Sequence, residues 1–151
     1  MKKICFICLG NICRSPMAEF IMKDLLQKAK LEKDFFITSA GTSKQHQGEC
    51  MHHKTQNKLI KANIPHQAFK SKPLTQKLCD ESDFLITMDQ ANFKYVQKNF
   101  INTQNKILKI TDFTPELGYD EVPDPWYSGN FDETYRILSL ACKNLLNFFQ
   151  K

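Results

Sequence analysis

Cys8 and Arg14 stand six residues apart, with Leu9, Gly10, Asn11, Ile12 and Cys13 between them and Ser15 directly after. A thiol and a guanidinium at that spacing, joined by turn-forming residues, are the parts of an anion site with a nucleophile at its floor. The apolar run Ile4-Cys5-Phe6-Ile7 precedes them and Pro16, suited to a first helical turn, follows, so the stretch reads as strand, tight loop and helix. A loop of this kind turns backbone N–H groups inward, and the helix N-terminus adds its positive dipole end. Gly10 and Asn11 tolerate the positive φ that such curling requires. Arg14 adds a planar fork that grips a phosphate-like anion through two bonds. Cationic surroundings at a helix N-terminus favour the thiolate form of a cysteine. A thiolate beneath a bound phosphate suggests covalent phosphoryl transfer. Ser15 can hydrogen-bond the Cys8 sulfur, cap the helix, or do both.

The rest of the chain must hold this loop in place. Met17, Ile21 and Leu25, with Ala18 and Ala29 on the flank, predict a helix running to about Lys30. Phe35 to Thr38 reads as a second strand, closed by Ser39-Ala40-Gly41-Thr42 as a turn, and Ser43 to His53 as a polar loop. Lys54 to about Ala62 forms a helix with Leu59 and Ile60 inward, stopped by Pro65. A loop from His66 to Pro73 leads to a short helix at Leu74–Leu78. Phe84 to Met88 is a buried strand, Phe93, Val96 and Phe100 space a helix, and Ile107 to Ile110 is a fourth strand. Residues 111–129 form a long loop, and a loop of that length in a compact domain is usually functional. Asn130 and Glu133 fit an N-cap and its third-position partner. Tyr135, Leu138, Cys142, Leu145 and Phe149 then mark a closing helix. Strands alternating with helices imply an α/β fold: one three-layer domain over residues 1–151, with a four-stranded parallel sheet in the order 2-1-3-4 and helices on both faces. Ligands of such sheets bind at the carboxyl ends of strands, where the Cys8 loop lies.

Composition narrows the class. With 151 residues, 42% hydrophobic and 25% charged, the chain can bury a core of its own, and no apolar run is long enough to cross a bilayer. Met1-Lys2-Lys3 leads directly into a strand, so cytoplasm is the expected location and membrane insertion is not expected. Six cysteines in a reducing compartment read as free thiols. The net charge of +5 is uneven: residues 1–72 hold thirteen basic against five acidic side chains. A basic half draws anionic substrates, although a solvated lysine-rich face would have the same composition. Nucleic acid is disfavoured, because the lysines are scattered and no aromatic stacking pattern accompanies them.

Cys8-x5-Arg14-Ser15, continuing as Pro16-Met17-Ala18-Glu19, resembles the low-molecular-weight protein tyrosine phosphatases. Ser39-Ala40-Gly41-Thr42, Met88-Asp89 and Asp124-Pro125-Trp126-Tyr127 extend the resemblance over nearly the whole chain. It implies a phosphatase acting on phosphotyrosine proteins and small aryl phosphates through a phosphocysteine intermediate, without metal or cofactor, and as a monomer. On that resemblance Cys8 is the nucleophile, Arg14 holds the phosphate, and Asp124 protonates the departing phenol oxygen. Trp126 and Tyr127 wall the pocket. Asn11 and Ser15 hold the loop, with His66 a candidate partner for them, and Cys13 can pair reversibly with Cys8. The chain departs from the pattern at residues 43–53, where the family places a large rim aromatic and this sequence has Lys44-Gln45-His46-Gln47-Gly48-Glu49.

Three rival readings are weaker. A thioredoxin-coupled arsenate reductase shares the thiol–arginine loop but needs a downstream cysteine pair, and Cys79 and Cys142 are far apart in sequence. A metal module could use Cys5 with Cys8, or His46, Cys50, His52 and His53, but strand residues three apart point to opposite faces and the histidines lack ligand spacing. A non-catalytic phosphotyrosine binder would not need both thiol and acid.

Overall fold

The computed structural model describes residues 1–151. Strand β1 (Lys2–Cys8) is buried from Ile4 onward on both faces, as expected of a central parallel strand. It lies between β2 (Phe35–Gly41) and β3 (Phe84–Thr87), and β4 (Ile107–Lys109) pairs with β3, so the parallel sheet runs in the expected order 2-1-3-4. Alternation along β1 divides the interior. Ile4, Phe6 and Cys8 join the larger core cluster, with buried residues of α1 (Arg14–Lys28), α2 (His53–Lys61) and α6 (Phe131–Phe149). Cys5 and Ile7 join the smaller one, with Cys79 of α3 (Gln76–Glu81) and Val96 of α4 (Gln90–Asn99). Cys5 and Cys8 therefore lie on opposite faces of the sheet.

Connections from β1 leave to both sides, so the crevice for a ligand opens at the carboxyl ends of β1 and β3. The Cys8 loop fills it. Helix α1 is buried all round from Arg14 to Met22, polar residues included, because its first turns lie under this loop.

Several boundaries differ from the sequence reading. Ser39-Ala40-Gly41 is not a turn: it continues β2 opposite Phe6, Ile7 and Cys8. Ladder pairing overrides the turn preference of these small residues. The short helix predicted at Leu74–Leu78 lies at Gln76–Glu81, where Thr75 accepts the cap bond from Leu78 N–H. Residues 110–128 are not one open loop. They hold two 3₁₀ turns, Ile110–Phe113 and Pro115–Leu117, and the single-turn helix α5 (Pro125–Ser128). Asn130 does accept from Glu133 N–H, but the Glu133 carboxylate turns away to Tyr119 and Arg136 instead of completing a box. Those partners hold the Glu133 carboxyl down at about 2, Arg136 contributing most.

In α2 only one of the two expected apolar residues faces inward: Leu59 is fully buried and Ile60 is 60% exposed. Truncating Leu59 to Ala should destabilise the fold by about 2–5 kcal/mol. Ile60→Ala should stay within about 0.5 kcal/mol. Urea unfolding of the two variants, read as the change in midpoint at constant slope, separates these outcomes.

Candidate active site

Cys8 ends β1, and its sulfur faces the loop that follows. The backbone N–H of Asn11 donates to Cys8 Sγ at 3.3 Å, and Ser15 Oγ lies 2.9 Å from the same sulfur. Asn11 adopts φ +56°, the left-handed conformation that curls the loop back over the thiol. Gly10 needs no positive φ. Its lack of a side chain matters because a Cβ there would meet His46 Cδ2 at 3.0 Å.

The Asn11 side chain is fully buried and organises what lies beneath. Its Nδ2 donates to Ser15 Oγ at 2.7 Å and to Ser39 Oγ at 3.0 Å, and its Oδ1 accepts from Lys72 N–H at 3.0 Å. The Ser39 hydroxyl in turn donates to Glu19 Oε1 at 2.6 Å. Both amide protons of Asn11 are thus committed, which leaves the Ser15 hydroxyl free to donate to Cys8. Ser15 does not cap α1: the N-cap position is Cys13, which makes no side-chain cap bond. Asn11 and Ser15 lie under the loop, behind the surface a ligand would touch, whereas Leu9, Gly10, Ile12 and Cys13 line the pocket together with Cys8 and Arg14.

Arg14 is only 2% exposed, and three of its five N–H donors have partners. Its Nη1 donates to Asp89 Oδ2 and to the Val122 carbonyl, both at 2.9 Å, and its Nη2 reaches Asp124 Oδ2 at 3.3 Å. Burial opposes the charge, and the combined attraction of Cys8, Asp124 and Asp89 overrides it, so its pKa is raised. Asp89 caps α4 through its other oxygen, which accepts from Asn92 N–H at 2.7 Å. Asp124 is oriented the same way: its Oδ1 accepts from Trp126 N–H at 3.0 Å at the start of α5, and its Oδ2 is the oxygen that meets Arg14. Burial, then the nearby Cys8 and Asp124, push the Cys13 thiol up to about 12. Cys13 is therefore a neutral thiol at physiological pH.

Trp126 and Tyr127 line the pocket and are 55% and 79% exposed, so neither is a core residue. The histidine-rich segment does not lie loose in solvent. His46 lines the pocket with its ring 5.7 Å from Trp126, and its Nδ1 bonds Glu49 at 2.9 Å. His52 packs against Trp126 from another side at 5.8 Å and accepts the cap bond of α2 from Lys54 N–H. An imidazole thus stands on the rim where the sequence showed no large aromatic. His66 is not a partner of Asn11 or Ser15: it bonds the Ile64 carbonyl and packs edge-on against Phe20.

Sequence reasoning missed Asp89 as the Arg14 anchor, and Ser39, Ser71, Lys72 and Glu19 as supports of the loop. Ser71 Oγ donates to the Gly10 carbonyl at 3.0 Å. Met88-Asp89 and Ser39-Ala40-Gly41-Thr42 stand out only as parts of the family resemblance, and no local pattern marks Ser71 or Lys72. Gly41 was also read wrongly, as a turn residue. A Cβ on it would meet the Leu9 carbonyl oxygen at 2.8 Å and the Gly10 carbonyl carbon at 3.2 Å. That approach lets Thr42 and Ser43 donate to the carbonyls of Cys8 and Leu9.

The family model described as low molecular weight phosphotyrosine protein phosphatase matches residues 3–151. The "Low molecular weight protein-tyrosine-phosphatase PtpA" of Staphylococcus saprophyticus is 36% identical over 151 residues, covering all of this chain and 96% of the relative. The crystal structure of YfkJ from Bacillus subtilis superposes with a TM-score of 0.95 at 36% identity, over 99% of this chain and 95% of that one. The solution structure of the low molecular weight protein tyrosine phosphatase from Campylobacter jejuni is 77% identical, covers 100% and 97% of the two chains, and has a TM-score of 0.80.

The Gly41 contact is backbone against backbone, so Gly41→Ala has to displace the loop. The variant should lose about 1–3 kcal/mol in urea unfolding. Its affinity for inorganic phosphate, measured by calorimetry, should fall with it. Unchanged phosphate binding in the variant would mean that the loop does not need this close approach.

Proposed function

Since the chain belongs to the low molecular weight phosphotyrosine protein phosphatase family and is a protein tyrosine phosphatase with a cysteine-based mechanism, we propose that Cys8 is its nucleophile, Arg14 its phosphate clamp and Asp124 its general acid and base. The observation carrying these roles is their convergence: Cys8, Arg14 and Asp124 line one pocket with Trp126 and Tyr127 although they come from opposite ends of the chain.

The reaction follows from the geometry. The phosphate dianion takes the place of Asp124 as a partner of Arg14 and accepts from the loop N–H groups, so both features that neutralise it are preformed. The substrate ring lies between Leu9 and the exposed faces of Trp126 and Tyr127. Cys8 sulfur attacks phosphorus, the bond from phosphorus to the phenol oxygen breaks, and Asp124 gives its proton to that oxygen. Phenolate is a poor leaving group, its conjugate acid having a pKa near about 10, so this proton matters. Water then attacks the phosphocysteine, Asp124 takes a proton from it, and the sulfur departs as a thiolate that accepts hydrogen bonds from Ser15 and Asn11. Inorganic phosphate is released. The residues present supply nucleophile, acid and clamp without calling for a metal or cofactor.

His46 reaches the rim with its Nδ1 held by Glu49, which leaves Nε2, on the Gly10 side of the ring, as the nitrogen available to substrate. It stands in for the missing rim aromatic and should contribute to affinity. A cytoplasmic location is in keeping with the six free cysteines, which a reducing compartment keeps unpaired.

Hydrolysis of aryl phosphates in the presence of EDTA tests the assignments. Cys8→Ser should abolish turnover. Asp124→Ala should lower kcat by about 10²–10⁴-fold for poor leaving groups and much less for good ones. A uniform loss across leaving groups would remove Asp124 from the role of acid. His46→Ala should raise KM with little change in kcat, and a fall in kcat at constant KM would show that the imidazole acts in the chemical step.

A further inference from the structure

Beside the pocket lies a second, basic groove that the phosphoryl chemistry does not use. One wall is α2, which presents Lys54, Lys58 and Lys61, and the other is the segment Gly129–Asp132. The three lysines recur at intervals of four and three and so share one helix face. Asp132 is the only acidic side chain lining the groove, and Lys58 Nζ holds it at 2.7 Å. Lys54 and Lys61 form no salt bridge. Lys54 lies over the Phe131 ring at 5.7 Å, so its position is set by packing and its charge is left free.

A single side chain stands between the groove and the catalytic pocket. The segment that carries Trp126 and Tyr127 runs directly into Gly129–Asp132, and His52 bridges the two, with its ring 5.8 Å from Trp126 and 5.0 Å from Phe131. One imidazole therefore separates the pocket wall from the ring under Lys54. About three extended residues of a peptide, at roughly 3.3–3.6 Å each, cover such a span. Free ammonium groups next to a site for a dianion favour a partner that carries further negative charge.

We propose that this groove is a second subsite for the same substrate, taking an acidic side chain about three residues from the phosphotyrosine, so that the enzyme prefers phosphotyrosine in acidic segments. The proposal rests on the phosphatase reading of the pocket. It gives the uneven charge of the chain a site of action, because three of the surplus lysines of the first half converge here.

The test compares phosphotyrosine peptides that carry Glu or Gln at the third residue on either side. With the wild-type chain, kcat/KM at low salt should be about three- to tenfold higher for the better-placed Glu peptide, and the difference should shrink toward unity near about 0.5 M salt. The double variant Lys54→Gln/Lys61→Gln should lose the preference while hydrolysing a small aryl phosphate at the wild-type rate. Asp132→Asn, which frees Lys58, should increase it. The proposal is overturned if the wild type treats Glu and Gln peptides alike, or if the double variant keeps the preference. A wild-type chain that fails on the small aryl phosphate would instead refute the phosphatase reading itself.

Discussion

The buried amide of Asn11 is the bond on which the site depends. Its backbone N–H holds the thiol, its side-chain donors hold Ser15 and Ser39, and its carbonyl oxygen accepts from Lys72. The bonds to Cys8, Ser15 and Ser39 are buried, where an unmet donor or acceptor costs about 1–3 kcal/mol. The network therefore has little freedom to rearrange. It holds a non-glycine residue in the left-handed conformation, and it orients the one hydroxyl that faces the nucleophile.

Arg14 shows the same logic applied to charge. A guanidinium that is nearly sealed from solvent is tolerable only when its charge is partnered, and here two carboxylates and a carbonyl take three of its five N–H groups. Asp89 and Asp124 are not equivalent. Asp89 is tied into the first turn of α4 and acts as an anchor, while Asp124 sits on a single turn of helix at a longer distance. The arrangement holds Arg14 firmly at one carboxylate and more loosely at the other.

The loop was legible in the sequence because its chemistry is contiguous: strand, thiol, turn residues, arginine and helix follow one another within fifteen positions. The strands and the closing helix were legible from hydrophobic patterning for similar reasons. What sequence reasoning missed is non-local. Ser39 and Gly41 looked like turn residues until the pairing of β2 with β1 made them strand, and Ser71 and Lys72 support the loop from sixty positions away. His66 was a plausible support by residue type, but the chain carries it to Phe20 instead. His46 looked solvated because no periodicity marks a rim residue. Its packing on Trp126 depends on where two loops meet. Ile60 was misjudged by one position on a short helix, where a 100° step decides between core and solvent.

The placement of these supports bears on how the site could be moved. Eight consecutive residues carry the nucleophile, the arginine and every inward-facing amide, and so give the impression of a portable cassette. Yet the loop is shaped from outside itself: β2 presses Gly41 against its carbonyls, and a distant connection supplies Ser71 and Lys72. Transplanted alone into another strand–helix junction, the eight residues would carry the reagents but not the mould. A working graft needs at least three separate pieces of chain, and a duplicated segment bearing only the motif would begin as an inert loop.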